Sequence, residues 1–254
     1  MVASEKCVLV TGAAVRIGRT LALDFGRRGW RVAIHAHHSI SAADAVAQDI
    51  VAAGGRASVY TADLADHGAV SDLATSVMGD FGHLDCLVNN ASLFQYDDVA
   101  TLDDGLWDRH LAINLKAPVF LAKAMAERLP AGRHGNVINI IDQRVWKPTP
   151  HFFSYAVSKA GLWAATQTLA QALAPNIRVN AIGPGPALKS IHQSDADFEA
   201  QSSATLLQRG TTPEEIAAAV RFILDAPAMT GQMIALDGGQ HLAWATPDIG
   251  DGRG

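Results

Sequence analysis

The sequence predicts a single α/β domain, a doubly wound parallel sheet of seven strands with helices on both faces. Two observations carry this. Short β-branched runs alternate with longer segments whose apolar residues recur at helical spacing, along almost the whole chain. The strand runs are also near-continuously apolar rather than alternating, as expected where helices cover both faces of a parallel sheet. A length of 254 residues fits one large α/β domain spanning 1–254.

Taken in order, a first strand over residues 6–11 feeds a helix over 17–28. The next pairs are strand 31–35 with helix 42–53, and strand 57–61 with helix 69–81. Strand Cys86–Asn89 precedes a long helix over 106–128, and strand 136–141 precedes another over 152–173. Strand 178–182 leads into a short, polar stretch at 187–207, then helix 213–224 and a last strand, Met233–Leu236. Each strand–helix–strand unit implies a right-handed crossover. No linker, repeat or low-complexity stretch interrupts the pattern. The Gly- and Asp-rich end, about residues 243–254, is expected to be a loose tail.

Composition excludes several classes. Apolar residues at 49% and charged residues at 18% supply a core and rule out a disordered chain. A formal net charge of −5 provides no basic field for phosphate backbones, so no nucleic-acid partner is expected. No apolar run approaches the roughly 20 residues needed to span a bilayer, and the first strand leaves no room for a signal peptide. Cys7 and Cys86 lie inside apolar runs. Parity allows a disulfide between them, but free thiols in core strands fit better, in a reducing, cytoplasmic setting.

The segment Thr11-Gly12-Ala13-Ala14-Val15-Arg16-Ile17-Gly18 follows the first strand and opens the first helix. Small residues there let the backbone approach a pyrophosphate, which then sits at a positive helix N-terminus, as in a Rossmann fold. Arg16 stands where such loops usually carry glycine, and its guanidinium can pair with phosphate. The second strand ends His35-Ala36-His37-His38-Ser39, with no carboxylate to hold a ribose 2′-hydroxyl. Arg16 and the missing acid favour NADP(H) over NAD(H). The histidines lack converging third and fourth ligands, and no metal is expected.

Tyr155 and Lys159 are four apart on one helix face. A phenol with a pKa near 10 needs help to exchange protons at neutral pH, and a nearby ammonium stabilises its phenolate. Asn114 interrupts an apolar helix face and reads as a water-holding partner for Lys159. These residues give the chain a resemblance to the short-chain dehydrogenase/reductase family, from Lys6 to about Leu242. The matching pieces include Thr11 to Gly18, Asp63-Leu64, Asn89-Asn90-Ala91, Asn114, Tyr155/Lys159, Asn180 with Gly183-Pro184-Gly185, and Leu236-Asp237-Gly238-Gly239. The resemblance implies that Asp63 and Leu64 border the adenine, that Asn90 and Ala91 line the path to the nicotinamide, and that Pro184 and Gly185 touch its end. It also implies a homotetramer built through the two long helices.

One departure narrows the reading. Where the family carries a serine thirteen positions before the tyrosine, this chain has Asp142. A carboxylate repels a developing alkoxide, but it accepts from, or protonates, the ring nitrogens of a heterocycle. On this point the chain resembles the pteridine reductase branch, which includes the dihydromonapterin and dihydrofolate reductases of this fold. The run Asn90-Ala91-Ser92-Leu93-Phe94 agrees, with Phe94 placed to stack on a pterin, and Arg16 and Ser92 join Asp142 and Tyr155 as expected substrate contacts. A second departure, Pro186-Ala187, offers no hydroxyl where relatives have Ser or Thr. The expectation is therefore NADPH-dependent reduction of a pterin or dihydrofolate-like ring. The alternatives are a reductase of 3-oxoacyl, sugar or aldehyde carbonyls, and a non-catalytic dinucleotide-binding regulator.

Overall fold

The computed structural model describes residues 5–189 and 193–244. Seven strands form one parallel sheet: β1 (Cys7–Val10), β2 (Arg31–Ala36), β3 (Arg56–Thr61), β4 (Cys86–Asn89), β5 (Gly135–Ile140), β6 (Ile177–Pro184) and β7 (Met233–Leu236). Their spatial order is β3-β2-β1-β4-β5-β6-β7. The order reverses between β1 and β4, where Val8 pairs with Cys86 and Val10 with Val88. Open α/β sheets bind ligands at the carboxyl ends of the strands beside such a reversal.

The described residues form eight α-helices: α1 (Arg16–Arg27), α2 (Ile40–Ala52), α3 (His67–Phe81), α4 (Asp104–Leu111), α5 (Ala117–Arg128), α6 (Phe153–Leu173), α7 (Asp195–Ser203) and α8 (Pro213–Asp225). Alternate strand residues supply two cores. Val8, Val10, Val32, Ile34, Cys86 and Val88 pack with α1, α2 and α8 on one face. Cys7, Leu9, Ala33, Leu87, Val137 and Val179 pack with α3, α5 and α6 on the other. Full burial of each such aliphatic side chain contributes about 1.5–3 kcal/mol, and both faces gain it. The two cysteines are free and face opposite cores, so adjacent strands do not bring their thiols together. No helix among the described residues is long and apolar enough to cross a membrane.

Two elements differ from the sequence expectation. The helix expected over 106–128 is divided into α4, a π-helical turn at Ala112–Lys116, and α5. Pro118 has no N–H to donate to the carbonyl four residues back, that of Asn114. The chain passes this point with a wider turn, in which the Ala117 N–H reaches back to the Ala112 carbonyl. The polar stretch at 187–207 contains α7, started by a reciprocal capping pair between Ser194 and Asp197. Residues 190–192 and 245–254 lie outside the described residues, so most of the expected tail does too.

The amino ends of the strands, opposite the reversal's ligand side, are tied by a buried carboxylate. Asp85 accepts from the Cys7 N–H at 2.8 Å and pairs with Arg133 Nη1 at 2.7 Å. Asp85→Ala is expected to leave that N–H buried without an acceptor, at a cost of about 1–3 kcal/mol. In a chain of this size each kcal/mol lowers the thermal midpoint by about 2–4 °C. Calorimetry measures the loss, and an unchanged midpoint would contradict the role of Asp85.

Candidate active site

The carboxyl ends of β1, β2, β4, β5 and β6 open into one cavity of about 880 Å³. Every site residue nominated from the sequence lines it except Ser39 and Asn114. Ser39 caps α2 without a side-chain bond to the helix, and Asn114 is buried behind the wall.

At one end the loop after β1 turns with Gly12 at φ +63. A Cβ on Gly12 would stand 2.9 Å from Ala91 Cα, and one on Gly18 only 2.1 Å from the Gly12 carbonyl oxygen. Side chains from two neighbouring segments and the loop's own Thr11 hold this backbone. Asn90 Nδ2 donates to the Thr11 and Gly12 carbonyls at 2.8 and 3.1 Å. Thr11 Oγ1 accepts from the Asn90 and Ala91 N–H groups, each at 3.0 Å. Buried His35 accepts from the Gly12 N–H through Nδ1 at 3.2 Å, which leaves Nε2–H to donate to the Ala62 carbonyl. Desolvation lowers the His35 pKa, consistent with a neutral ring in this role.

Arg16 has φ +54, a left-handed conformation that costs a non-glycine residue about 1–2 kcal/mol. Its guanidinium donates to the carbonyls of Lys189 and Leu188 at 2.8 and 3.1 Å, so it ties the glycine loop to the segment after β6. At the end of β2 the rings of His37 and His38 lie 3.6 Å apart, and His37 Nδ1 is 3.8 Å from the Asp63 carboxylate. The β2 end itself carries no acid.

At the other end Tyr155, on the first turn of α6, donates to Asp142 Oδ2 at 2.9 Å. Asp142 Oδ1 accepts from the Arg144 N–H at 2.8 Å, starting a 3-10 turn at Gln143–Val145. Burial pushes the Asp142 pKa up, against the opposing charges of Arg144 and Lys159. Burial and the Asp142 charge push the Tyr155 phenol well above its ordinary value. Buried Lys159 donates to the Ile140 carbonyl at 3.0 Å, and desolvation lowers its pKa to about 8. The lowering charge on the phenol is that of Arg144, and burial together with the Asp142 carboxylate outweighs it.

Asn114 bonds to the 93 segment, with Oδ1 accepting from the Leu93 N–H at 2.8 Å and Nδ2 donating to the Leu93 carbonyl and Ser158 Oγ at 3.0 Å each. One turn earlier, buried His110 accepts from the Gln95 N–H through Nε2 at 3.3 Å. Its Nδ1 lies 2.6 Å from Ser154 Oγ, which in turn donates to the buried Asp97 carboxylate. Leu93 and Gln95 are thus both clamped, and Phe94 between them stacks on Phe152 at 4.3 Å and meets Tyr155 edge-on at 4.7 Å. Sequence reasoning missed His110, Gln143, Arg144 and Phe152. The only sequence signal for Phe152 was an aromatic pair just ahead of Tyr155. Arg144 follows Asp142 by two residues but resembles an ordinary surface cation.

Comparisons with known proteins agree with this geometry. Residues 12–241 match the family described as enoyl-(acyl carrier protein) reductase. A short-chain type dehydrogenase/reductase of Picea abies is 32% identical over 249 residues, covering 92% of each chain. A 3-oxoacyl-(acyl-carrier-protein) reductase of Synechocystis is also 32% identical, covering 93% of this chain and 97% of that one. Among solved structures, FolM alternative dihydrofolate reductase 1 from Brucella suis, in complex with NADP, superposes with a TM-score of 0.93. It is 53% identical, covering 98% of this chain and 100% of that one. With the glycine loop, the Tyr155/Lys159 helix and the parallel sheet in place, this chain belongs to the short-chain dehydrogenase/reductase family and is an oxidoreductase.

Proposed function

We propose that the protein is an NADPH-dependent reductase of pterin or dihydrofolate-like rings, and one observation carries the reading. The tyrosine of the site is hydrogen-bonded to a buried carboxyl group, that of Asp142, whose pKa is raised. When ionised, Asp142 would set negative charge against an alkoxide developing from a carbonyl, whereas a ring C=N gains a proton at nitrogen, which Asp142 in its protonated form supplies. The likeness to the Brucella suis enzyme, an alternative dihydrofolate reductase holding NADP, supports the same reading.

The residues present fit the dinucleotide. Gly12 and Gly18 let the loop pack closely on Ala91 and on itself, where any Cβ would collide, and so bring its backbone to the N-terminus of α1. Backbone groups from Gly12 to Gly18, including Ile17, would hold the pyrophosphate. Arg16, His37 and His38 would take a 2′-phosphate, Asp63 and Leu64 the adenine, and Asn90, Ala91 and Lys159 the ribose. Pro184 and Gly185 would close the nicotinamide end. Bound NADPH supplies a hydride to the carbon of the ring C=N. Tyr155 donates its phenolic proton to the ring nitrogen and recovers one from Asp142 across their hydrogen bond, and Asp142 recovers its own from solvent. Asn114 and His110 hold the strand-to-helix segment so that Phe94 and Ser92 present a fixed wall to the ring.

A second reading, reduction of a 3-oxoacyl or other carbonyl, is favoured by the Synechocystis relative. Asp142→Ser decides between the two. Under the pterin reading, dihydropterin turnover falls by about 10²-fold or more, while activity on an acetoacetyl thioester stays flat or rises. The opposite pattern would establish the carbonyl reductase.

The proton-handling residues carry a further expectation. Tyr155→Phe and Lys159→Ala each lower kcat by about 10²–10⁴-fold with the fold intact, and the double variant loses little more, because the pair acts as a unit. Lys159 is charged below its pKa of about 8 and loses its proton above it. Asp142 likewise loses its proton as pH rises. The wild-type kcat/KM is therefore expected to decline on the alkaline side, with a limb near pH 8. A flat profile from pH 6 to 10 would contradict the assignment.

Cofactor choice rests on Arg16. Arg16→Gly is expected to weaken NADPH by about tenfold or more relative to NADH, the value of one charge-assisted contact. Fluorescence titration with both cofactors measures it, and equal wild-type affinities would refute the preference.

A further inference from the structure

We infer that Arg144 recognises the ring carbonyl of the substrate and so selects 4-oxo pteridines over their 4-amino counterparts; this rests on the pterin reading above. Arg144 belongs to the 3-10 turn that Asp142 starts, and its side chain lines the same cavity as Asp142, Tyr155 and Phe94. Its guanidinium carbon stands 5.2 Å from the Phe152 ring centre and 5.7 Å from that of Phe94, within cation–π range of both stacked rings. Those rings offer faces but no oxygen acceptor. Its Nη1 is buried and has no hydrogen-bond partner among the described residues.

That combination is unusual for a structural arginine. A guanidinium carries five N–H donors and stays charged at any working pH. Buried donors in native proteins are satisfied, and one left unpaired on a residue that lines a cavity calls for a partner. The partner must bring an oxygen, a carbonyl or a carboxylate. In a 2-amino-4-oxo pteridine the C4 carbonyl lies peri to N5, the atom that is protonated when the neighbouring C6=N5 bond accepts a hydride. A proton donor for N5 and a cation for O4 are therefore needed next to each other. Tyr155, backed by Asp142 at 2.9 Å, and Arg144, whose backbone N–H bonds the other oxygen of that carboxyl at 2.8 Å, provide that pair. In a 4-amino pteridine the peri group is an amine whose N–H bonds confront the guanidinium, which then stays unpaired.

The test uses wild type, Arg144→Met, which keeps length and loses charge, and Arg144→Lys, which keeps charge and loses the fork. Competitive inhibition against 7,8-dihydropterin is measured for 6-hydroxymethylpterin and for 2,4-diamino-6-hydroxymethylpteridine. In Arg144→Met the ratio of the two affinities is expected to move about tenfold towards the diamino compound. The KM for 7,8-dihydropterin should rise in parallel, and Arg144→Lys should fall between. NADPH affinity reports whether each variant is folded; if Arg144→Met fails that check, the Lys variant decides by the same ratio. A ratio that shifts less than threefold in folded variants, with wild-type turnover present, overturns the inference and leaves the pterin reading standing. A wild-type protein that reduces no pteridine overturns the pterin reading and this inference with it.

Discussion

The hydrogen bond from Tyr155 to the buried Asp142 carboxyl is the contact around which the substrate half of the cavity is organised. It joins the end of β5 to the first turn of α6, elements also tied by the Lys159–Ile140 and Asn139–Thr166 bonds. Asp142 spends its second oxygen on starting the 143–145 turn, and Lys159 bonds the carbonyl of Ile140 two residues before it. Three groups of opposite titration behaviour thus share one desolvated corner. Burial raises the two acids and lowers the amine, so all three are drawn towards their neutral forms. A proton shared along such a chain passes between groups without exposing a full charge.

Backbone strain collects around the same cavity. Among the described residues three non-glycine positions have positive φ, and two of them, Arg16 and Phe152, line the cavity. Such conformations persist only where surrounding contacts over-determine them. For Arg16 those contacts are the two carbonyls of residues 188 and 189. For Phe152 they are the stacked Phe94 and the edge of Tyr96. The strain places a cation between the glycine loop and the segment after β6, and an aromatic face behind Phe94.

Buried polar side chains supply the rigidity that loops lack. His110 and Asn114, one turn apart, hold residues 95 and 93 from the same helical stretch. The π-helical turn forced by Pro118 sits where Asn114 makes four hydrogen bonds. A helical irregularity and a fixed loop are here one feature. Asn89, Asn139 and Thr166 form a similar line through the core under the site.

The sequence by itself determined the sheet, its covering helices and the chemistry available. Continuous apolar strands and helical spacing are local properties, and local properties survive into the fold. The glycine loop, the Tyr155/Lys159 spacing and the acid at position 142 were legible for the same reason, since each is a short motif with a chemical cost if misplaced. What only the tertiary structure decided is where side chains distant in sequence spend their hydrogen bonds. Asn114 spends its hydrogen bonds on the 93 segment and on Ser158. Arg16 turned to carbonyls some 170 positions away. The Tyr155 phenol went up, because desolvation and a neighbouring carboxylate depend on packing that no spacing rule contains. Arg144 and Phe152 acquired meaning only when β5 and α6 were brought side by side.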